Sequence, residues 1–397
     1  MRRMLPTMYA PPSTTSRHLS VAIVTSIHPD FDARIWKHAR LLSDAGHRVR
    51  LVCPWSVEPG AVIDGVELHP FAKAPRRLLR PFWSLVKLMP TLRGLLHDTD
   101  VVHFHDLDLL PWMALLALRK PVVFDVHENY PDEMLEKAWI PAVLRRPVSL
   151  AVKWGQRFGS RIIRNIVLVA PSQERYFSSP VLRKIYLSNF ASRELADEAL
   201  DNYSERKPVV IFIGSQHANN GSLLLLDIAV RVVSANPCIG FVAVDRFFDP
   251  AFRERFLARR QELGLEEIVR LVPNVRPQQL MSILNQATIG ISPNLRVPQQ
   301  INGVHTKVFE YMAAGLPMVL SDLPHQLEVI SRSGAGIAIP PEEPDAFARA
   351  ILELVADPVR AAEMGRCGVD AFRADYCYES QRDKLLGFYR QILGDAA

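Results

Sequence analysis

The sequence predicts an α/β protein of two doubly wound domains, each a parallel sheet covered by helices on both faces. Length is the first observation. A chain of 397 residues is too long for one ordinary core and suits two domains of roughly 150–200 residues. The second is an alternation, sustained along the chain, of short apolar runs with amphipathic helical stretches. Runs that are apolar throughout belong to strands buried on both sides, which is the condition of a parallel sheet. The third is composition. A hydrophobic content of 48% and a mean hydropathy near zero describe a globular chain and exclude disordered and fibrous classes.

In the first half the predicted strands are Leu19–Thr25, Val49–Cys53, Val101–Phe104, Val122–Val126 and Ile166–Val169. Asp32–Ala45 reads as an amphipathic helix ending at Gly46. In the second half the strands are Val209–Ile213, Gly240–Val244, Val269–Val272, Ile289–Ser292, Met318–Leu320 and Gly336–Ile339. Ser222–Ser234 reads as a helix, and Tyr378–Leu393 as a closing helical segment. Residues 1–18 form a Pro/Ser/Thr-rich tail expected to be disordered, without the apolar centre of a signal peptide. The domains are expected at 19–190 and 208–375, with the polar stretch 191–207 as linker and 376–397 as a final helix. No short repeat is visible. Two doubly wound domains place a ligand cleft at the carboxyl ends of their strands.

Charge is unevenly distributed. Residues 1–190 carry 26 Lys/Arg against 16 Asp/Glu, a balance of +10, and the rest carries −5. A basic first half suits an anionic partner, and a membrane surface or phosphate-bearing acceptor fits as well as nucleic acid. The four cysteines, Cys53, Cys238, Cys367 and Cys377, lack metal-ligand spacing, and Cys53 and Cys238 lie in apolar strand-like runs. A reducing compartment without a structural metal is expected. No apolar run reaches the ~18 residues needed to span a bilayer.

Lys307-Val-Phe-Glu-Tyr-Met-Ala-Ala-Gly-Leu-Pro317 is the most informative stretch. Val308, Phe309, Met312 and Ala313 form one apolar helix face, Gly315 supplies a left-handed cap and Pro317 stops the helix. Glu310 lies off that face, one turn after Lys307, and a surface ion pair would be the plain structural account of the two. Val101-Val-His-Phe-His-Asp106 and Val122-Val-Phe-Asp-Val-His-Glu128 are two strands that each end in His and carboxylate groups, where a parallel sheet presents its ligand crevice. Alternation puts His103 and His105 on one face, so a metal site drawing on His103, His105, Asp125, His127 and Glu128 is a competing reading. Val209–Gly214, the loop Ser215–Gly221 and the following helix form a strand–turn–helix unit that can bind phosphate through backbone N–H groups.

The stretch Lys307–Asp322 resembles the donor-site signature of GT-B glycosyltransferases, especially retaining family 4. "HFHDLD" and "FDVHE" resemble that family's His-bearing strands, and the likeness extends over nearly the whole chain after residue 18. It implies two Rossmann-like domains facing a cleft, with a last helix crossing back to the first. It implies that Glu310 accepts hydrogen bonds from the donor ribose and that His127 faces the donor sugar and leaving phosphate. The donor site takes Gly214, Ser215, Asn220, Gly221, Arg296, Glu310 and Gly315. The acceptor side takes Asp32, Arg34, His103, His105, Asp106 and Glu128, with Asp32 also placed as a helix N-cap. No divalent metal, cofactor or nucleic acid is implied.

Two departures from the family pattern stand out. The Arg and Lys that usually grip the donor diphosphate fall on Ser215 or Gln216 and on Asn220. The first of the paired glutamates falls on Asn302, which can hydrogen-bond a sugar hydroxyl but carries no charge. The expected catalytic set is therefore His127, Asn302 and Lys307, with Lys307 and Arg296 as replacement cations. The resemblance implies transfer of a sugar from a nucleotide-diphosphate donor to a hydroxyl acceptor, with retention, in cell-surface or exopolysaccharide synthesis. Two rivals stay open: a non-catalytic nucleotide- or saccharide-binding partner, and a nucleotide-sugar 2-epimerase. Arg76–Arg93 and Arg145–Arg164 interleave cations with Phe, Trp and Leu. They are either packed helices with a basic face or a surface that docks on anionic lipid, giving a cytoplasmic protein peripheral on the inner face of the cell membrane.

Overall fold

The computed structural model describes residues 18–28, 33–54, 58–76, 79–137, 140–200, 202–274 and 279–394. The expected tail, apart from His18, lies outside the described residues, as does Asp32. The chain divides into two compact units. The first runs to Ile166 and adds Ser179–Lys184 and the residues from Lys384 on, while the second holds Val167–Ser178 and Ile185–Asp383. The stretch expected as a linker thus falls inside the second unit, where Ala196 joins its core.

The strands of the first sheet are β1 (Ser20–Val24), β2 (Arg48–Cys53), β3 (Val62–Ile63), β4 (Val66–Pro70), β5 (Val101–Phe104), β6 (Val122–Val126), β7 (Asn165–Leu168) and β8 (Arg183–Tyr186). They are ordered β3-β4-β2-β1-β5-β6-β7-β8. Pairing is parallel from β4 through β6, and β3 pairs with β4 antiparallel. The strand order reverses between β1 and β5, which sets a crevice at their carboxyl ends. Register places Ile23 opposite His103, and His103 opposite Val123. His103 and His105 therefore share one face with Asp125 and His127. Phe104 and Phe124 stack on the other face, ring centres 4.7 Å apart.

The second sheet contains β9 (Val209–Phe212), β10 (Gly240–Asp245), β11 (Val269–Pro273), β12 (Ile289–Ser292), β13 (Met318–Ser321) and β14 (Gly336–Ile339). Their order is β11-β10-β9-β12-β13-β14, all parallel. One core cluster holds Phe309, Met312 and Phe372, and the other holds Phe212, Phe241 and Phe347. The switch point lies between β9 and β12.

Every apolar run singled out in the sequence forms a strand, with ends shifted by at most one residue. The short β3–β4 hairpin and the half-buried, basic β8 carried no such run. Cys238 was expected in a strand but is exposed in the turn before β10, and all four cysteines are free. Pro81 and Pro90 sit in the first turns of Arg80–Trp83 and Met89–Leu95, where a missing N–H costs nothing. A π-helical turn, Ser84–Leu88, joins these stretches. Ala142–Ile163 is one 22-residue helix despite Pro147. Among the described residues no helix is long and apolar enough to cross a membrane.

Candidate active site

In the first unit a cavity of about 780 Å³ opens at the carboxyl ends of β1, β5 and β6. Ser26, His28, Asp106, Asp108, His127 and Glu128 line its polar side. Asp106 accepts from Thr25 Oγ1 and from the Ser26 amide, both at 2.6 Å, and lies 3.4 Å from His28 Nε2. Burial pushes the Asp106 carboxyl up, but hydrogen bonds from His28, Thr25 and Ser26 outweigh it and hold the group below the ordinary range. Asp108 behaves oppositely, because burial and the neighbouring Asp106 charge both push it up. At Glu128, desolvation and Glu133 also push the carboxyl up. Tyr130 Oη donates to the His105 carbonyl at 3.1 Å.

Behind the cavity wall lies a buried polar cluster. His105 Nδ1 and His127 Nε2 share a hydrogen bond of 2.8 Å. His127 Nδ1 lies 3.4 Å from Asp125 Oδ1, and Arg34 donates to the same oxygen at 3.3 Å. Asp125 is buried, yet the His127 and Arg34 charges and the nearby His103 imidazole hold it well below the usual carboxylate range. Burial lowers the pKa of His105 and of His38 well below the ordinary imidazole value, and burial with the Arg34 charge lowers that of His127. His38 and Tyr389 complete the cluster from the helices Ala33–Asp44 and Arg382–Leu393. Neither residue was singled out in the sequence. His38 follows Arg34 by one helical turn, which is a usable local signal. Tyr389 carries none.

In the second unit β9 leads into the Gly214 loop and the helix Ser222–Ala235. Gly221 holds φ +79°, and a Cβ there would meet the Pro293 carbonyl oxygen at 1.8 Å. Asn220 works within the fold. Its Nδ2 donates to the Ser215 carbonyl at 2.8 Å and to Ser215 Oγ at 3.2 Å, and its Oδ1 accepts from Gln300 Nε2 at 2.9 Å. Gln300 in turn joins a buried amide network with Asn294 and Gln326 that sequence patterning did not reveal. Asn302 is exposed, its Nδ2 donating to the Pro298 carbonyl and its carbonyl accepting from Ser172. Arg296 is engaged by Asp322 at 2.6 Å and Glu342 at 3.2 Å, so its charge is matched within the fold.

Lys307 is different. It is the second residue of the helix Thr306–Ala313, where Val308, Phe309, Tyr311, Met312 and Ala313 are buried. Its Nζ sits 4.2 Å from the Phe212 ring centre. Its Cε lies 3.6 Å from where a Cβ on Gly214 would stand. The buried Nζ has no hydrogen-bond partner. Burial lowers its pKa from 10.5 to about 7, against the opposing Glu310 charge one turn on. Glu310 is half-buried, and Gly315 closes the helix at φ +66°. A buried ammonium of weakened basicity beside a strand–loop–helix turn is suited to receive an anion.

Comparison with known proteins follows this division. Residues 33–185 match the family model described as Glycosyltransferase Family 4, and residues 207–357 match that described as Glycosyl transferases group 1. GDP-mannose:cellobiosyl-diphosphopolyprenol α-mannosyltransferase of Xanthomonas campestris is 22% identical over 85% of this chain and 86% of that one. Phosphatidyl-myo-inositol mannosyltransferase of Mycolicibacterium smegmatis is 24% identical over 90% of this chain and 88% of that one. Sucrose-phosphate synthase from Thermosynechococcus elongatus superposes with a TM-score of 0.70 at 17% identity, covering 96% of this chain and all of that one. HepE of Anabaena, solved with UDP and glucose, gives 0.66 at 12% identity over 94% of this chain and 100% of that one.

Proposed function

Because the chain belongs to the group 1, family 4 glycosyltransferases of GT-B fold, we propose that it moves a hexose from a nucleoside-diphosphate sugar to a hydroxyl acceptor, with retention of configuration. The observation that carries the donor assignment is the unpartnered Lys307 Nζ beside the Gly214 loop. A buried polar group without a partner costs free energy, and a phosphate oxygen offers Lys307 the missing one. The diphosphate is neutralised by Lys307 and backbone N–H groups at the start of Ser222–Ala235, and no divalent ion is needed for transfer. Glu310 receives the ribose hydroxyls. His127, at the end of β6, serves the reacting sugar. The mannosyl relatives make GDP-mannose the first donor to test, with UDP-sugars beside it.

The acceptor reading rests on the first-unit cavity, whose carboxyl and imidazole groups suit a saccharide hydroxyl. A lipid-linked saccharide of a cell-surface polymer is the acceptor class we favour, with attachment to the inner face of the membrane. Supporting this is an apolar, basic face on the first unit. Phe82 is 64% exposed, Trp154 64% and Phe158 70%, beside Lys87, Lys153 and Arg157. The helix Leu110–Leu116 links the two segments, since Trp112 donates to the Pro81 carbonyl and Leu110 packs on Gly159. Each cation adds about 1 kcal/mol near an anionic surface. Anionic vesicles should sediment the protein, and Trp154→Ser with Phe158→Ser should release it.

Nucleotide release from a panel of donors tests the transferase reading. Glu310→Ala should weaken nucleotide binding by about 1–3 kcal/mol in a folded protein. A wild-type chain that binds nucleotide yet releases none from any donor would be a non-catalytic partner. The neutral, exposed Asn302 in place of a carboxylate is the feature favouring that outcome.

A further inference from the structure

One face of the first sheet buries more imidazole than packing requires. Asp125 Oδ2 lies 3.4 Å from His103 Nε2, 3.5 Å from His105 Nδ1 and 4.0 Å from His38 Nδ1. One ligand atom from each of His38, His103, His105 and Asp125 fits within a span of 4.8 Å, and all four residues are buried. A tetrahedral zinc site with bonds of about 2.0–2.2 Å has ligand–ligand edges of roughly 3.3 Å. The three separations from Asp125 Oδ2 exceed that edge by about 0.1–0.7 Å, and every other pair of ligand atoms lies within 4.8 Å.

Two of the unsatisfied atoms point the same way. His38 Nδ1 and His103 Nε2 are shielded from water and lack a hydrogen-bond partner. These are the two nitrogens directed at Asp125 Oδ2. Their opposite nitrogens converge on one hydroxyl, with His103 Nδ1 2.7 Å and His38 Nε2 3.3 Å from Tyr389 Oη. The remaining carboxylate oxygen of Asp125 is held by Arg34. Metal-ligating histidines and carboxylates are typically fixed from behind in this manner.

We propose that His38, His103, His105 and Asp125 bind one divalent transition-metal ion of the zinc type. Three imidazoles and one carboxylate suit zinc, cobalt or nickel, whereas magnesium and calcium prefer all-oxygen shells. The ion lies behind the cavity wall and takes no part in neutralising the diphosphate. Its effect is positional. His105 Nδ1 also holds His127 Nε2 at 2.8 Å, so ligation through Nδ1 frees that nitrogen of His127.

The experiment strips the full chain with a chelator, then titrates it with zinc alone against a chromophoric competitor. Cobalt serves as the spectroscopic probe. One equivalent of tight binding is expected, with the intense visible bands of tetrahedral cobalt and no thiolate charge-transfer band. His38→Gln should weaken zinc binding at least about 100-fold, and Tyr389→Phe, which removes only the supporting hydroxyl, roughly 10-fold. If His38→Gln fails to fold, Tyr389→Phe and the wild-type cobalt spectrum decide. Absence of stoichiometric binding, a thiolate spectrum, or affinity unchanged in the folded variants would overturn the site. Nucleotide binding is read separately, so loss of the metal site leaves the transferase reading untouched.

Discussion

Lys307 Nζ stands 4.2 Å from the centre of the Phe212 ring, buried and without a hydrogen-bond partner. The aromatic face supplies part of the interaction that water would otherwise give. Burial still drives the ammonium toward its neutral form. The fold carries this cost in the absence of ligand, which is the pattern expected of a group kept for binding.

Lys307→Met should therefore raise the Tm of the nucleotide-free protein by roughly 2–4 °C for each kcal/mol of relieved desolvation. The same variant should lose the thermal shift that nucleoside diphosphate gives the wild type. Thermal unfolding with and without nucleotide measures both. A variant that keeps the ligand-induced shift would remove Lys307 from the phosphate site.

The pKa of Lys307, lowered from 10.5 to about 7, fixes the direction of a pH effect. Between those values the unfolded chain holds a proton that the folded chain has released, so this residue's contribution makes stability rise with pH across the window. A bound diphosphate restores the ammonium. Binding above pH 7 should then take up a proton, and affinity should fall as pH rises. Calorimetry at about pH 8.5 in buffers of different ionisation enthalpy reads the uptake, and a value of zero would contradict the assignment.

His127→Ala should lower turnover by about 100-fold or more. Nucleotide affinity should change by less than about threefold, because His127 belongs to the first unit and the Gly214 loop to the second. Steady-state kinetics with a separate nucleotide-binding titration resolve the two. Equal losses in both would place His127 in nucleotide binding.

Gly221→Ala tests the geometry of the donor loop. Its Cβ would overlap the Pro293 carbonyl oxygen at 1.8 Å, in a backbone already at φ +79°. A loss above about 3 kcal/mol is expected from the denaturant midpoint. Gly264 has φ +64° but open space around its Cβ position, so Gly264→Ala should cost only about 1–2 kcal/mol. Similar costs at both positions would show that the loop relaxes.

Much of this architecture could be read from local pattern. The strands came from uninterrupted apolar runs, and the helix after His305 from the spacing of Val308, Phe309, Met312 and Ala313. The same patterns were blind to partners distant in sequence. Tyr311 lies on the helix as an ordinary aromatic, yet its hydroxyl accepts from the Ile213 amide and donates toward the Ile211 and Ile291 carbonyls. Arg296 and Lys307 looked equivalent as cations. Only three-dimensional placement shows that Asp322 and Glu342 satisfy the first while the second has no such partner. His38 met its cluster because α-helical and β periodicities intersect there, which neither periodicity reveals alone.

The hydroxyl of Tyr389 reaches His103 across 286 residues of sequence, and this span has a temporal meaning. A ribosome adding about 5–20 residues each second needs roughly 15–60 s to travel it. Through that interval the first sheet can pair its strands, while His38 and His103 still await their shared anchor. The amino-terminal unit, first to emerge, is thus among the last to be completed. A stall or premature stop before residue 389 would release a sheet whose polar face is unsealed, a substrate for chaperones rather than a finished half.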